Sequence, residues 1–204
     1  AELISYNGDV LLTGVGGRGN QEISFGDYDF DFGSGLTINN SNIVANDTNG
    51  LISLRGEGSF GSKVFTGHGV DVNSTNLYAD RIVTRAISAE ASTDGKSDQS
   101  SGIIFDKANV KATSGITLNG ESANTDPENT DILNSTGTVI HKSRFLTSAG
   151  PIKIEGTGGS GESLYNSTGV IIDDSDIRGS KIELVGTGGR SNDFRNSALS
   201  TGVY

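Results

Sequence analysis

His68 and His141 are the only imidazoles in the 204-residue chain, and neither has a companion at ligand spacing. There is no HExxH segment, no His-x-His pair and no cysteine, so neither a transition-metal ligand set nor a thiol nucleophile is expected. A GxSxG nucleophile elbow is also missing. Gly14-Val15-Gly16-Gly17-Arg18-Gly19 has the glycines of a phosphate loop, but no Lys-Ser/Thr follows and no helix is signalled after it. His68 is therefore expected as a surface residue in a loop, and His141 at a bend. No catalytic, cofactor or metal residue is assigned, and no cofactor is expected.

Carboxylates offer more chemistry. Asp173, Asp174 and Asp176 lie close together, with Arg178 two residues on. Sugar-cleaving sites need two carboxylates roughly 5–9.5 Å apart. Alternating chain direction spreads these three over different faces, and the equivalent positions one repeat earlier are His141, Lys142 and Arg144, so a solvated acidic bend is the expectation. The run Asp27, Tyr28, Asp29, Phe30, Asp31, Phe32 alternates strictly, with carboxylates on one side and aromatics on the other. It reads as an extra strand folded back over the molecule. With Phe25 it would offer a ligand-facing platform, because rings stack on sugar faces and carboxylates hold sugar hydroxyls or calcium. Tyr165 and Phe194, like Phe60 and Phe65, are isolated aromatics among Gly, Ser and Asn, a mixture typical of adaptable contact surfaces. Five Asn-x-Ser/Thr sequons, at Asn39, Asn46, Asn73, Asn134 and Asn166, are candidate glycosylation sites.

The elements that position these residues follow from composition and periodicity. Thirty glycines, two prolines and 33% hydrophobic residues describe a chain of short strands and turns with a thin core. Fifteen basic against 25 acidic residues give a net charge of −10, which repels a phosphate backbone, so nucleic acid is not an expected partner. No apolar run approaches the ~20 residues of a membrane span, and no membrane insertion is expected. The N-terminus, AELISYNGDV, lacks the basic and apolar regions of a signal peptide, and the chain reads as a soluble segment of something longer.

A repeat organises the whole. GLTINNSNIVA from Gly35, GVDVNSTNLYA from Gly69, GIIFDKANVKA from Gly102, GTVIHKSRFLT from Gly137 and GVIIDDSDIRG from Gly169 share one pattern, and GVY at Gly202 opens another copy. Their glycines are 34, 33, 35, 32 and 33 residues apart, within the range of solenoid repeats. A second block, I-x-L, follows a turn residue in each repeat, as at Ile52 and Leu54, Ile116 and Leu118, or Ile152 and Ile154; RIVTR at 81–85 is a degenerate copy. Both blocks alternate with the period of two that marks strands. The polar pair inside the first block, such as Asn39-Asn40 or Asp173-Asp174, breaks the alternation and marks a bend.

Each repeat thus holds three short strands and a Gly-rich excursion. Three strands wound into a coil, each paired with its equivalent in the next coil at about 4.8 Å, make an all-β, right-handed parallel β-helix. The expectation is one domain over residues 1–204 with about six coils of ~33 residues, in which 13–34 form a long excursion, an extra-helical strand or hairpin. A propeller would need four antiparallel strands per blade, and a leucine-rich repeat its leucine ladder; a sandwich or jelly roll would not recur at this period.

The blocks in IKIEGTGGSGESLYNSTGVIIDDSDIRG and IELVGTGGRSNDFRNSALSTGVY resemble the repeat region of large bacterial exoproteins of the filamentous haemagglutinin type, exported by two-partner secretion. The resemblance spans almost the whole chain and implies the shaft, since no Asn-Pro of the family's NPNL and NPNG secretion motifs occurs. It implies a secreted or cell-surface adhesin and virulence factor, not an enzyme. It also implies an outer-membrane secretion partner for the full-length chain, and a host or bacterial cell-surface glycan or protein as ligand. Two other functions stay open: the stalk of a contact-dependent growth-inhibition toxin, and a carbohydrate-active β-helix of the polysaccharide lyase or hydrolase kind.

Overall fold

The computed structural model describes residues 1–16, 24–25, 28–29, 31–58, 60–61, 64–88, 90–91, 96–97, 100–122, 131–161, 163–190 and 199–204. They contain strands and no helix. The strands wind into a parallel β-helix whose coils have three faces. The first face carries Leu36–Asn39, Val70–Asn73, Ser100–Asp106, Asp131–His141, Ser163–Asp173 and Leu199–Val203. After a bend, the second face stacks Glu2–Ser5, Asn42–Ala45, the start of Asn76–Ile87, the start of Asn109–Glu121, Arg144–Thr147 and Asp176–Arg178. The third face stacks Val10–Val15, Leu51–Glu57, the ends of the same two long strands, Ile152–Thr157 and Ile182–Thr187. Each face is six strands deep, and six strands bound only five intervals, so the described residues close fewer full turns than the about six coils expected.

Register is kept from coil to coil, because each sheet residue pairs with the residue one repeat away, as in Val72↔Ile38 and Val72↔Phe105. Inward positions therefore stack in columns. Ile38, Val72, Phe105 and Ile140 make one; Ile43, Leu77, Val110 and Phe145 face them from the second face; Ile52, Ile82, Ile116 and Ile152 close the triangle. Phe105 and Phe145 meet edge to face, centroids 5.2 Å apart. The degenerate copy keeps the register: Ile82 and Thr84 lie fully buried beside Ile52 and Leu54. Thr84 takes a leucine's place, and its buried hydroxyl finds no partner.

The first corner, between the first and second faces, is tight. At each bend the second residue of the polar pair adopts a left-handed conformation: Asn40, Ser74, Lys107, Lys142 and Asp174 have φ of 47°, 49°, 51°, 47° and 45°. Such a conformation costs a side-chain-bearing residue roughly 1–2 kcal/mol. The hydrogen-bond ladder runs straight through it, however, with Asn40, Ser74, Lys107 and Lys142 donating their N–H to carbonyls one coil on. The small residue that follows adds a hydroxyl ladder. Thr75 Oγ1 accepts from Ser41 N, Ser143 Oγ from Ala108 N, and Ser175 Oγ from Ser143 N, at 3.0–3.3 Å. Each of these hydroxyls also donates to the carbonyl two residues back, at 2.7–2.8 Å.

The corner between the third and first faces is closed by absence of side chains. Gly14, Gly56, Gly120, Gly156 and Gly186 face the carbonyls of Gly35, Gly69, Gly137, Gly169 and Gly202, with no room for a Cβ between them. Ala86 is the one departure in that column. Beside it a buried serine column, Ser100, Ser135 and Ser167, satisfies backbone at the excursion roots: Gly159 N donates to Ser135 Oγ and Gly189 N to Ser167 Oγ, both at 3.0 Å.

Candidate functional site

Outward positions vary where inward ones repeat, and on the second face that variation gathers three cations. Register places Tyr78, Lys111, Leu146 and Arg178 in one outward row on successive coils. The neighbouring outward row holds Asn76, Asn109, Arg144 and Asp176. Tyr78, Lys111, Leu146 and Arg178 of the first row and Arg144 of the second line a groove of about 710 Å³ where the second face turns toward the third. Asn109 Nδ2 donates to the Tyr78 hydroxyl at 2.8 Å and to Asn76 Oδ1 at 3.3 Å, which fixes the ring. The Lys111 ammonium sits 5.4 Å from the centre of that ring, where the negative π-face attracts it. Arg144 and Arg178 both reach Asp176 through Nε, at 3.4 and 2.7 Å, yet their side chains remain 51% and 69% exposed. The groove is thus a rigid cationic face with an apolar floor of Leu146 and Ala112, suited to holding an anion.

The acidic bends carry a different arrangement. Asn73, Asp106, His141 and Asp173 stack in one outward row of the first face. His141 Nδ1 lies 2.8 Å from Asp173 Oδ2, and its Nε2 is 4.0 Å from Asp106 Oδ1. Asp106 Oδ2 accepts from Asn73 Nδ2 at 3.3 Å and pairs with Lys107 at 3.1 Å. Asp173, Asp174 and Asp176 are indeed divided, onto the first face, the bend and the second face. Asp173 therefore meets an imidazole on the adjacent coil, with Asp106 on the other side of the same ring. Among the described residues no group of three or more His, Asp or Glu is placed to hold a metal ion.

His68 lies in the expected connection between strands but is half-buried. It precedes Gly69 at the glycine corner, with Nδ1 enclosed and unpartnered. Burial holds its pKa below the ordinary value, against the pull of Asp71. The Asp71 carboxyl is in turn pushed up by burial, an effect that His68 opposes and Asp106 reinforces. Nothing in the local sequence marks this.

The aromatic-acidic run is only partly described. Ser24–Phe25 and Tyr28–Asp29 pair antiparallel, Phe25 opposite Tyr28, in the register of a small hairpin. Asp31–Phe32 pairs parallel with Val64–Thr66 of the next excursion. For Phe25, Tyr28, Asp29, Asp31, Phe32 and Tyr165 the backbone alone is described; Asp27, Phe30 and Phe194 lie outside the described residues. Of the sequon asparagines, Asn39, Asn46, Asn134 and Asn166 are exposed. Asn166 donates to Asn134 at 3.0 Å, and Asn73 is engaged by Asp106. The groove cations went unrecognised in the sequence as a site, although Lys111 and Arg178 share one variable position of the first block (Val44, Tyr78, Lys111, Leu146, Arg178).

The chain belongs by architecture to the parallel β-helix proteins. Comparison with family models, with curated proteins and with solved structures finds no match.

Proposed function

We propose that this chain is a β-helical shaft segment of a secreted bacterial surface exoprotein, of the filamentous haemagglutinin type, that binds host or cell-surface ligands through its outward side chains. The observation that carries this reading is the division of labour in each coil. Inward columns repeat apolar residues and buried hydroxyls, which keeps the coils in register, while outward rows change residue type from coil to coil. A solenoid of this kind offers an extended surface whose length is set by repeat number and whose chemistry is set by the outward rows. Export in an unfolded state suits a chain that needs no disulfide to fold.

The test is adherence. Beads coated with the 204-residue chain are expected to bind cultured epithelial cells or bacterial cells in excess of beads coated with an unrelated acidic protein, and soluble chain is expected to compete. Beads that bind neither cell type above that control would remove the adhesin reading.

A further inference from the structure

We propose that the groove lined by Lys111, Arg144 and Arg178 is a subsite for a carboxylate-bearing polysaccharide, a polyuronate, lying along the axis of the β-helix. The inference deepens the binding part of the proposed function and rests on that reading only for its biological setting.

Charge is the first argument. The chain carries a net −10, yet three cations line the groove, with Asp176 paired to two of them beside it. At physiological salt the Debye length is about 8 Å, so a ligand in the groove responds to the local cluster more than to distant carboxylates. Lys111 is held over Tyr78 rather than by a carboxylate, and both arginines keep much of their surface in solvent. Three cations suit a few carboxylates and fall short of the six to ten phosphate contacts that typical nucleic-acid binding draws on, roughly.

Spacing is the second argument. Lys111, Arg144 and Arg178 come from three successive coils. Coils repeat at about 4.8 Å along the axis, a step comparable to one sugar unit, and a polyuronate bears one carboxylate per sugar. Leu146, level with Arg144 and between Lys111 and Arg178, supplies an apolar patch for the C–H face of a pyranose.

The third argument selects a sugar over an acidic peptide. Two of the strands that bear these cations have neighbours on both sides, Asn109–Glu121 between Asn76–Ile87 and Arg144–Thr147, and Arg144–Thr147 between Asn109–Glu121 and Asp176–Arg178, while Asp176–Arg178 ends the described sheet. The groove lies on the face of the sheet and not along that end strand's open edge, so a peptide seated in it adds no strand. A peptide there would keep its own backbone unpaired, whereas a sugar brings hydroxyls that reach Asn, Thr and Ser side chains.

The experiment is calorimetric titration of the full 204-residue chain with hexagalacturonate. Binding is expected to weaken as NaCl rises, and to fall at least tenfold in the double variant Arg144→Gln, Arg178→Gln while Lys153→Gln, on the third face, leaves it unchanged. As a readout that needs no variant, hexagalacturonate is expected to protect Lys111 from amine acylation while Lys153 and Lys181 react as before. Absence of binding, equal binding of the carboxyl-reduced oligosaccharide, equal binding of dextran sulfate, or tighter binding of poly-glutamate would each overturn the assignment. Uronate binding without cell adherence would keep the subsite and remove the adhesin reading; adherence without uronate binding would do the reverse.

Discussion

The two corners that flank the first face solve the same problem by opposite means. At the bend between the first and second faces, the chain turns through a left-handed residue and ties each coil to the next with stacked hydroxyls. At the corner between the third and first faces, opposed glycines let two backbones approach until no side chain fits, and the excursions leave from beside it. The first corner is held by added hydrogen bonds and tolerates Asn, Ser, Lys or Asp at its strained position. The second depends on a missing atom, and its tolerance is correspondingly narrow. A hydrogen-bonded corner degrades by about one bond at a time; a close-packed one fails by collision.

Substitutions sharpen that contrast. The largest effect is expected from Gly120→Val, whose side chain would meet the Gly137 carbonyl and the Thr138 hydroxyl. A loss of about 3 kcal/mol in urea unfolding is expected, whereas Ala86→Gly in the same column should cost no more than about 1 kcal/mol. A result in which the two are alike would mean that the glycine corner opens to accept side chains.

At the hydroxyl corner, Ser143→Ala removes the acceptor of Ala108 N–H and a donor to the His141 carbonyl. It should lower stability by about 1–2 kcal/mol. The converse change, Ala108→Ser, fills the one rung without a hydroxyl between Thr75 and Ser143. Ala108 is 3% exposed and stands at the same bend position as Thr75 and Ser143. A gain of about 1 kcal/mol is expected in the same unfolding assay, and a loss instead would show that the ladder is not the source of the corner's stability.

The smallest effect concerns the glycine corner and pH. Because burial holds His68 below 6.5 in the folded chain, the unfolded chain takes up that proton first as pH falls. Its contribution is fully present above 6.5 and is lost as pH drops through 6.5 toward the folded value. Asp71 works in a lower window with the opposite slope: its folded pKa is raised, so its contribution is present below 3.8 and is lost as pH rises through the folded value. Unfolding measured between pH 7 and 5 should therefore show a decline in stability that His68→Leu flattens. An unchanged profile would mean that the imidazole is solvated in the folded chain.

Much of the architecture was legible before any coordinate. The Gly-apolar-x-apolar blocks recur at about one coil length, and the polar pair at 39–40, 73–74, 106–107, 141–142 and 173–174 coincides with the left-handed residue at every bend. These signals are local, since periodicity of two and a break in it depend on neighbouring residues alone. The groove was less legible. Lys111, Arg144 and Arg178 are separated by about thirty residues each, and nothing in one repeat says which outward positions of three repeats will share a surface. The partial burial of His68 is hidden from the sequence for the same reason, as is the contact of Asp173 with the His141 imidazole at 2.8 Å.

By itself the sequence determined the strands, the bends and the inward and outward set of each repeat, because a repeat that alternates every second residue has one of each. Register between coils was left to the tertiary structure, and with it the assembly of Tyr78, Lys111, Leu146 and Arg178 into one row and the enclosure of His68. Excursions of different length intervene between coils, so distance along the chain does not specify position along the axis; only the pairing of backbone hydrogen bonds does.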